Sequence, residues 1–205
     1  IRGLQENGVA ACGKHFPGHG DTSVDSHLEL PLVEHPPDRI RRVECVPFRE
    51  AILADVAFIM TAHVLVPSID EEKPATLSRR IVQALLRDEL QFPGVIVSDD
   101  LEMKAIAKTY TVPQAAVEAI AAGCDALLVC SGDVDVQAAT LEALVHAVEE
   151  KRIPYKRLED ALTRLRRAKE RFLTAPVTSQ KTARIRQVLG CDAHQRIVDE
   201  MARYI

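Results

Sequence analysis

Gly94-Val95-Ile96-Val97-Ser98-Asp99-Asp100 is a run of β-branched apolar residues that ends in two adjacent carboxylates. A short, continuously apolar run bounded by Gly and polar residues predicts a strand buried on both faces, with the acids where it emerges. The same grammar recurs at Val9–Cys12, Val56–Met60 and Ala126–Cys130, each followed by a polar loop and a helical pattern. Repeated βα units of this kind predict a parallel sheet, because each crossover lays a helix against it, and the fold class is α/β. Polar groups stand where every strand runs out: Lys14 and His15, Thr61 and His63, Ser98 to Asp100, Ser131 and Asp133. These are strand C-termini, the rim on which sites assemble in open doubly wound sheets and in closed (β/α)8 barrels alike. Four such units amount to half a barrel.

The intervening helices carry ordinary start and stop signals. Ser78 stands before the periodic residues Ile81, Leu85, Leu86 and Leu90; Pro113 fits a first turn and Gly123 a C-terminal cap. Residues 134–150 read as an amphipathic helix with Leu141, Leu144, Val145 and Val148 on its apolar face, and another helix spans about residues 156–172. A Pro-, Thr- and Ser-containing linker at 174–182 leads to two short helical patterns.

At 205 residues and 47% hydrophobic content the chain can bury a core. No apolar run reaches membrane-span length, and no basic segment followed by an apolar core marks the N-terminus, so neither a membrane span nor a signal peptide is expected within it. Five scattered cysteines suit buried free thiols in a reducing compartment, which makes the cytoplasm the expected location. Residues 151–205 carry 14 Lys and Arg against 6 Asp and Glu, which leaves the first 150 residues at a net −12. The basic residues of that tail recur at helical spacing with few aromatics to stack bases, so a solvated helix face is expected rather than nucleic-acid binding.

Chemistry concentrates in two stretches. Adjacent residues of an extended chain point to opposite sides, so at most one of Asp99 and Asp100 enters a site; both could instead favour the first turn of the following helix, and spacing does not order them. The segment Lys14-His15-Phe16-Pro17-Gly18-His19-Gly20-Asp21-Thr22-Ser23-Val24-Asp25-Ser26-His27 packs three histidines, acids, a lysine and turn-forming glycines into one loop. Asp25 and His27, two apart, lie on one side of an extended segment, so the carboxylate can hold the imidazole in one tautomer and favour its protonation. The His spacings fit no common zinc pattern, and Gly18-His19-Gly20 lacks the third glycine and following helix of a dinucleotide site. His63 either lines the pocket or packs at its strand end.

Taken in order, Lys14–Thr22 with Asp25-Ser26-His27, then Met60-Thr61-Ala62-His63, Ser98-Asp99-Asp100-Leu101 and Ala122-Gly123-Cys124-Asp125-Ala126-Leu127-Leu128, resemble the motifs of family 3 glycoside hydrolases. The Asp-Ser-His element is similar to that of the bacterial β-N-acetylglucosaminidases of peptidoglycan recycling, and β-glucosidases of the family generally lack it. The resemblance implies a (β/α)8 barrel of which this chain holds the C-terminal half, residues 1–173, followed by a linker and terminal helices at 174–205. It also implies an upstream half, with Ile1 in the helix before the opening strand. The implied activity is retaining removal of non-reducing-end β-linked N-acetylglucosamine from small muropeptide or carbohydrate substrates, without metal or organic cofactor. By motif, Asp99 is the nucleophile, His27 the acid/base with Asp25 as its partner, and Lys14, His15 and His63 substrate-binding residues. A β-glucosidase-like hydrolase and a non-catalytic sugar-binding barrel are the alternatives.

Overall fold

Four parallel strands, β1 (Cys12–Phe16), β2 (Phe58–Thr61), β3 (Val95–Asp100) and β4 (Ala126–Leu128), form one sheet in the order β1-β2-β3-β4. The structure is a computed structural model that describes residues 1–19, 30–173 and 189–204. A doubly wound sheet reverses its strand order at a switch point. Here the order never reverses, so right-handed crossovers keep the helices on one face, as in consecutive units of a (β/α)8 barrel. Contacts divide the chain into a unit Ile1–Phe172 and a smaller unit Leu173–Ile205. The smaller unit holds a helix, Asp192–Met201, with no buried residue; the expected linker at 174–182 lies outside the described residues. No helix among the described residues is long and apolar enough to cross a membrane.

The strands sit where the apolar runs predicted them, with one displacement that matters. The first begins at Cys12 rather than Val9, so Lys14 and His15 belong to the strand and not to the loop after it. Val9 is 54% exposed, and ahead of the ladder the Gln5 side chain supplies the bonding: its Oε1 accepts from the Ala57 amide at 2.8 Å and its Nε2 donates to the Asp55 carbonyl at 2.8 Å. The third strand runs past Val97 through both acids, while the fourth stops at Leu128 instead of Cys130.

Between the strands the core is made by Phe16, Ile40, Ile59, Ile81, Leu86 and Ile96, none more than marginally accessible. Helix Arg80–Glu89 buries Ile81, Val82, Leu85 and Leu86, and the Ser78 hydroxyl accepts from the Ile81 amide at 3.3 Å. Helix Val112–Ala122 starts in a capping box between Thr111 and Gln114, with Pro113 in its first turn. It ends at Gly123, whose φ of 129° and close neighbour Val82, 3.1 Å from where a Cβ would stand, leave room for glycine alone. Helix Val134–Glu149 departs from the expected pattern: Leu141 and Val145 are 66% and 56% exposed, and the packed face is Thr140, Ala147 and partly Leu144 and Val148. Its partner, the alanine-rich helix Val112–Ala122, accepts a closer approach along small residues than along the leucine and valine stripe.

The basic tail is also not simply a solvated face. Asp125, at the N-terminal end of β4 and buried, receives Arg87 Nη2 at 2.7 Å, Arg157 Nη2 at 2.8 Å, Arg164 Nε at 3.0 Å and the Ile96 amide at 3.0 Å. Arg157 donates further to the carbonyls of Ile120, Gly123 and Cys124, and Arg87 to those of Phe92 and Gly94. Burial pushes the Arg87 guanidinium down to about 10, against the pull of Asp125, so it stays charged at neutral pH. One carboxylate thus pins helices Arg80–Glu89 and Tyr155–Phe172 to the sheet, and Arg171 adds an ion pair to Asp55 at 2.7 Å.

Candidate active site

The C-terminal ends of β1, β2 and β3 meet at one rim. Phe16, fully buried and edge-on to Phe48 with ring centroids 5.0 Å apart, anchors the end of β1. The peptide bonds Lys14–His15 and Phe16–Pro17 are cis. Gly18 follows at φ 140°, and a Cβ there would stand 3.0 Å from the Glu44 side chain, so the turn passes over Glu44 at a distance no larger residue permits. His15 and His19 face each other edge to face at 6.2 Å. Lys14, His15, Gly18 and His19 line one side of a cavity of about 620 Å³ closed by Glu44 and Phe48.

Across the rim, His15 Nε2 stands 3.5 Å from Asp99 Oδ2, and their side chains are 28% and 19% exposed. This is the juxtaposition of strand 1 with strand 3 that adjacency in sequence could not show. Asp99 owes its place to a bulge: Val97 pairs with Ala126 and Asp100 with Leu128, so three steps on β3 oppose two on β4. Bulges re-aim a side chain at a sheet end, and the buried Ser98 hydroxyl fills the broken ladder by accepting from the Leu128 amide at 3.1 Å.

The two adjacent acids have different surroundings. Asp99 Oδ1 accepts from the Asp100 amide at 2.9 Å, while its Oδ2 faces His15. Asp100 Oδ1 accepts from the Glu102 and Cys130 amides at 3.2 and 3.3 Å, which ties the β3 end to the segment after β4. Glu102 extends the tie, accepting from the Ser131 amide at 2.6 Å, and the bonds from Ser131 hold its carboxyl below the usual carboxylate range.

His63, expected at the sugar, is fully buried, and both ring nitrogens have protein partners. Nε2 is 2.8 Å from the Asp100 carbonyl and Nδ1 is 2.8 Å from Thr76 Oγ1. A carbonyl only accepts, so Nε2 carries the proton. Burial lowers the His63 pKa from the ordinary imidazole value, against the opposing bond to Asp100 and the charges of Asp99 and Asp100. In the neutral ring Nδ1 accepts from the Thr76 hydroxyl, which in turn lies 2.9 Å from Thr61 Oγ1. The reason the ring is covered is the turn Ala75–Leu77, all three residues buried, which folds over the end of β2. Thr61 carries only a strand-end signal in the sequence and Thr76 none, since an isolated buried threonine leaves no periodic trace.

Asp25 and His27 lie outside the described residues. A larger cavity, about 840 Å³, opens away from this rim among Asp70, Lys73, Arg80 and Glu118. Its polar groups serve the fold: burial favours the neutral form of Asp70, but bonds from the Ser78 hydroxyl and the Glu72 and Lys73 amides outweigh it and leave the pKa lowered, and Lys73 pairs with Glu118 at 2.6 Å. It holds no candidate nucleophile beside a base, so the β1–β3 rim is the better site.

Comparison with known proteins agrees with this geometry. The chain is 33% identical to beta-hexosaminidase A of Pseudoalteromonas piscicida over 98% of its own length and 36% of that protein's. It is 46% identical to a beta-hexosaminidase of Pseudomonas aeruginosa over 64% of its length and 39% of the other's. A glycoside hydrolase family 3 beta-N-acetylglucosaminidase from Paenibacillus sp. superposes with a TM-score of 0.87 at 45% identity, covering 98% of this chain and 38% of that one. The chain therefore spans well under half the length of these relatives. The family described as glycosyl hydrolase family 3 N terminal domain matches residues 1–168, and with strands, rim and motifs in agreement the chain belongs to glycosyl hydrolase family 3.

Proposed function

We propose that the protein carrying this chain is a retaining exo-β-N-acetylglucosaminidase that releases non-reducing-end N-acetylglucosamine from peptidoglycan fragments. The observation that carries the reading is the partly exposed Asp99 carboxylate at the C-terminal end of β3, 3.5 Å from His15, beside an Asp100 engaged by backbone amides. Relatives named beta-hexosaminidase and beta-N-acetylglucosaminidase support the substrate class. The peptidoglycan source and the acid/base rest on Asp25-Ser26-His27. A cytoplasmic location accords with cysteines that are all free, although only Cys45 and Cys124 are buried and burial pushes those two up to about 11 and about 12.

In this mechanism Asp99 Oδ2 attacks the anomeric carbon as the bond to the leaving oxygen breaks, and protonated His27 delivers its proton to that oxygen. A covalent glycosyl-Asp99 ester results. Neutral His27 then takes a proton from water, whose oxygen attacks the same carbon and frees Asp99, so two inversions give net retention. Asp25 favours the imidazolium needed in the first step. Lys14 and His15 are proposed to bind sugar hydroxyls, and His15 beside Asp99 holds the carboxylate in place by a charge-assisted contact when protonated.

The test is substitution of each acid in turn. Asp99→Ala is expected to abolish turnover of an aryl N-acetylglucosaminide with the fold retained, Asp100→Ala to reduce it less, and a 2-fluoro sugar to label Asp99. Labelling of Asp100, or wild-type rates in Asp99→Ala, refutes the assignment.

A further inference from the structure

We infer that His63 is a positioning residue for the reaction, setting the Asp99 carboxylate through the Asp100 peptide instead of binding sugar. The inference rests on the glycosidase reading above and adds a role for a side chain that is buried with both ring nitrogens bonded within the protein.

Asp100 is held at three groups. Its carbonyl accepts from His63 Nε2 at 2.8 Å and from the Met103 amide at 3.1 Å, its carboxylate accepts from the Glu102 and Cys130 amides, and its amide donates to Asp99 Oδ1 at 2.9 Å. The last contact is the lever. The amide that steadies Asp99 belongs to the residue whose carbonyl His63 holds, so a rotation about the Asp100 backbone moves the donor away from Asp99 Oδ1. The bulge between Val97 and Asp100 leaves the ladder little to resist such a rotation with: beyond it, one bond from the Leu101 amide to the Leu128 carbonyl at 3.1 Å holds the following peptide.

His63 is suited to the task because it is itself fixed from behind. The one proton of the Thr76 hydroxyl lies between Nδ1 at 2.8 Å and the Ala62 carbonyl at 3.0 Å, and Thr61 Oγ1, 2.9 Å from Thr76 Oγ1, completes the array. All three of Thr61, His63 and Thr76 are buried, so water does not compete for these bonds. The titratable groups that face the ring are Asp99, Asp100 and His15. A neutral ring leaves Asp99 without a second cation beside it, so its nucleophilicity is not diminished by a buried imidazolium. Misplacement of a reacting group by about 1 Å is enough to lose roughly 10²-fold in rate.

The discriminating experiment compares two amides at position 63. The nitrogen of a glutamine reaches the place of histidine Nε2 and can still donate to the Asp100 carbonyl, whereas an asparagine ends near the place of Nδ1 and cannot. Both variants lose ring packing. We expect His63→Asn to lower kcat about 10²-fold with KM within about threefold, and His63→Gln to recover most of that loss, while the two melt at similar temperatures. Equal losses of kcat in the two variants, following their melting temperatures, would show a merely structural residue and overturn the inference. A raised KM with unchanged kcat would make His63 a sugar ligand and overturn it equally. If neither variant folds, the ¹⁵N shifts of His63 in the unmutated protein decide: the neutral Nε2–H tautomer supports the arrangement and the Nδ1–H tautomer overturns it. Failure of the underlying reading is separate and visible first, as absence of aryl N-acetylglucosaminide turnover in the unmutated protein, and it takes this inference with it.

Discussion

Replacing Asp125 by Asn should destabilise the protein without altering the chemistry of each folded molecule. The carboxylate is fully withdrawn from solvent and receives three guanidinium groups and the Ile96 amide, so the change removes the buried negative charge that Arg87, Arg157 and Arg164 share. It also turns an amide donor toward arginine donors. Removing one partner of a buried ion pair typically costs about 3–5 kcal/mol, because the remaining charge stays buried and unpaired. For a complete barrel of roughly 250 residues about 1 kcal/mol shifts the melting temperature by roughly 2 °C, which puts the expected fall at roughly 6–10 °C. Thermal unfolding followed by circular dichroism, in the protein that carries this chain, measures it. The loss should persist at high salt, since a buried pair is little screened. The cluster lies at the N-terminal ends of the strands, opposite the Asp99 rim, so kcat per folded molecule should hold. A loss below about 1 kcal/mol would mean that the backbone carbonyls of Ile120, Gly123, Phe92 and Gly94 satisfy the arginines by themselves, and the pinning role of Asp125 would be refuted.

Removing the proposed acid in His27→Ala should slow a natural disaccharide far more than a nitrophenyl glycoside, whose leaving group departs without protonation; equal losses on the two substrates would move the proton to another residue. Asp25→Asn should cut the rate roughly 10²-fold and shift the basic limb of the pH profile to lower pH, since the charge favouring imidazolium is gone; an unshifted limb argues against the dyad. Stability should carry the mark of His63. Burial lowers its pKa in the folded state, so below about pH 6.5 the unfolded chain binds a proton that the folded chain refuses, and the stability present above that pH is lost as pH falls toward the folded-state value. Comparing melting temperatures at pH 8 and pH 5 for the unmutated protein and His63→Gln isolates this term, and identical pH dependences would show that the ring titrates normally.

The sequence by itself determined the α/β class, the four strands to within a few residues, and the placement of His15, His63, Asp99 and Asp100 at strand ends. These follow from local rules: an apolar run between turn residues is a buried strand, and a parallel strand ends at the rim where polar residues emerge. The caps at Ser78, Pro113 and Gly123 were legible for the same reason, since each concerns neighbours a few residues apart. Tertiary structure alone decided the rest. Val9 is apolar yet lies ahead of the ladder, where the Gln5 side chain makes the bond to the Ala57 amide. Asp99 and Asp100 are equivalent as letters. They differ because a bulge against β4 and the Cys130 amide, 30 residues away, engage the second and leave the first facing His15. His63, expected at the sugar, is buried because the Ala75–Leu77 turn covers it, and it donates to the Asp100 carbonyl, 37 residues on. Arg157 and Arg164 followed the spacing of a solvated helix, and only the fold set Asp125 beneath them. Periodicity fixes which face of an element is dry; which polar atoms then meet across that face depends on contacts between distant segments, which no local pattern records.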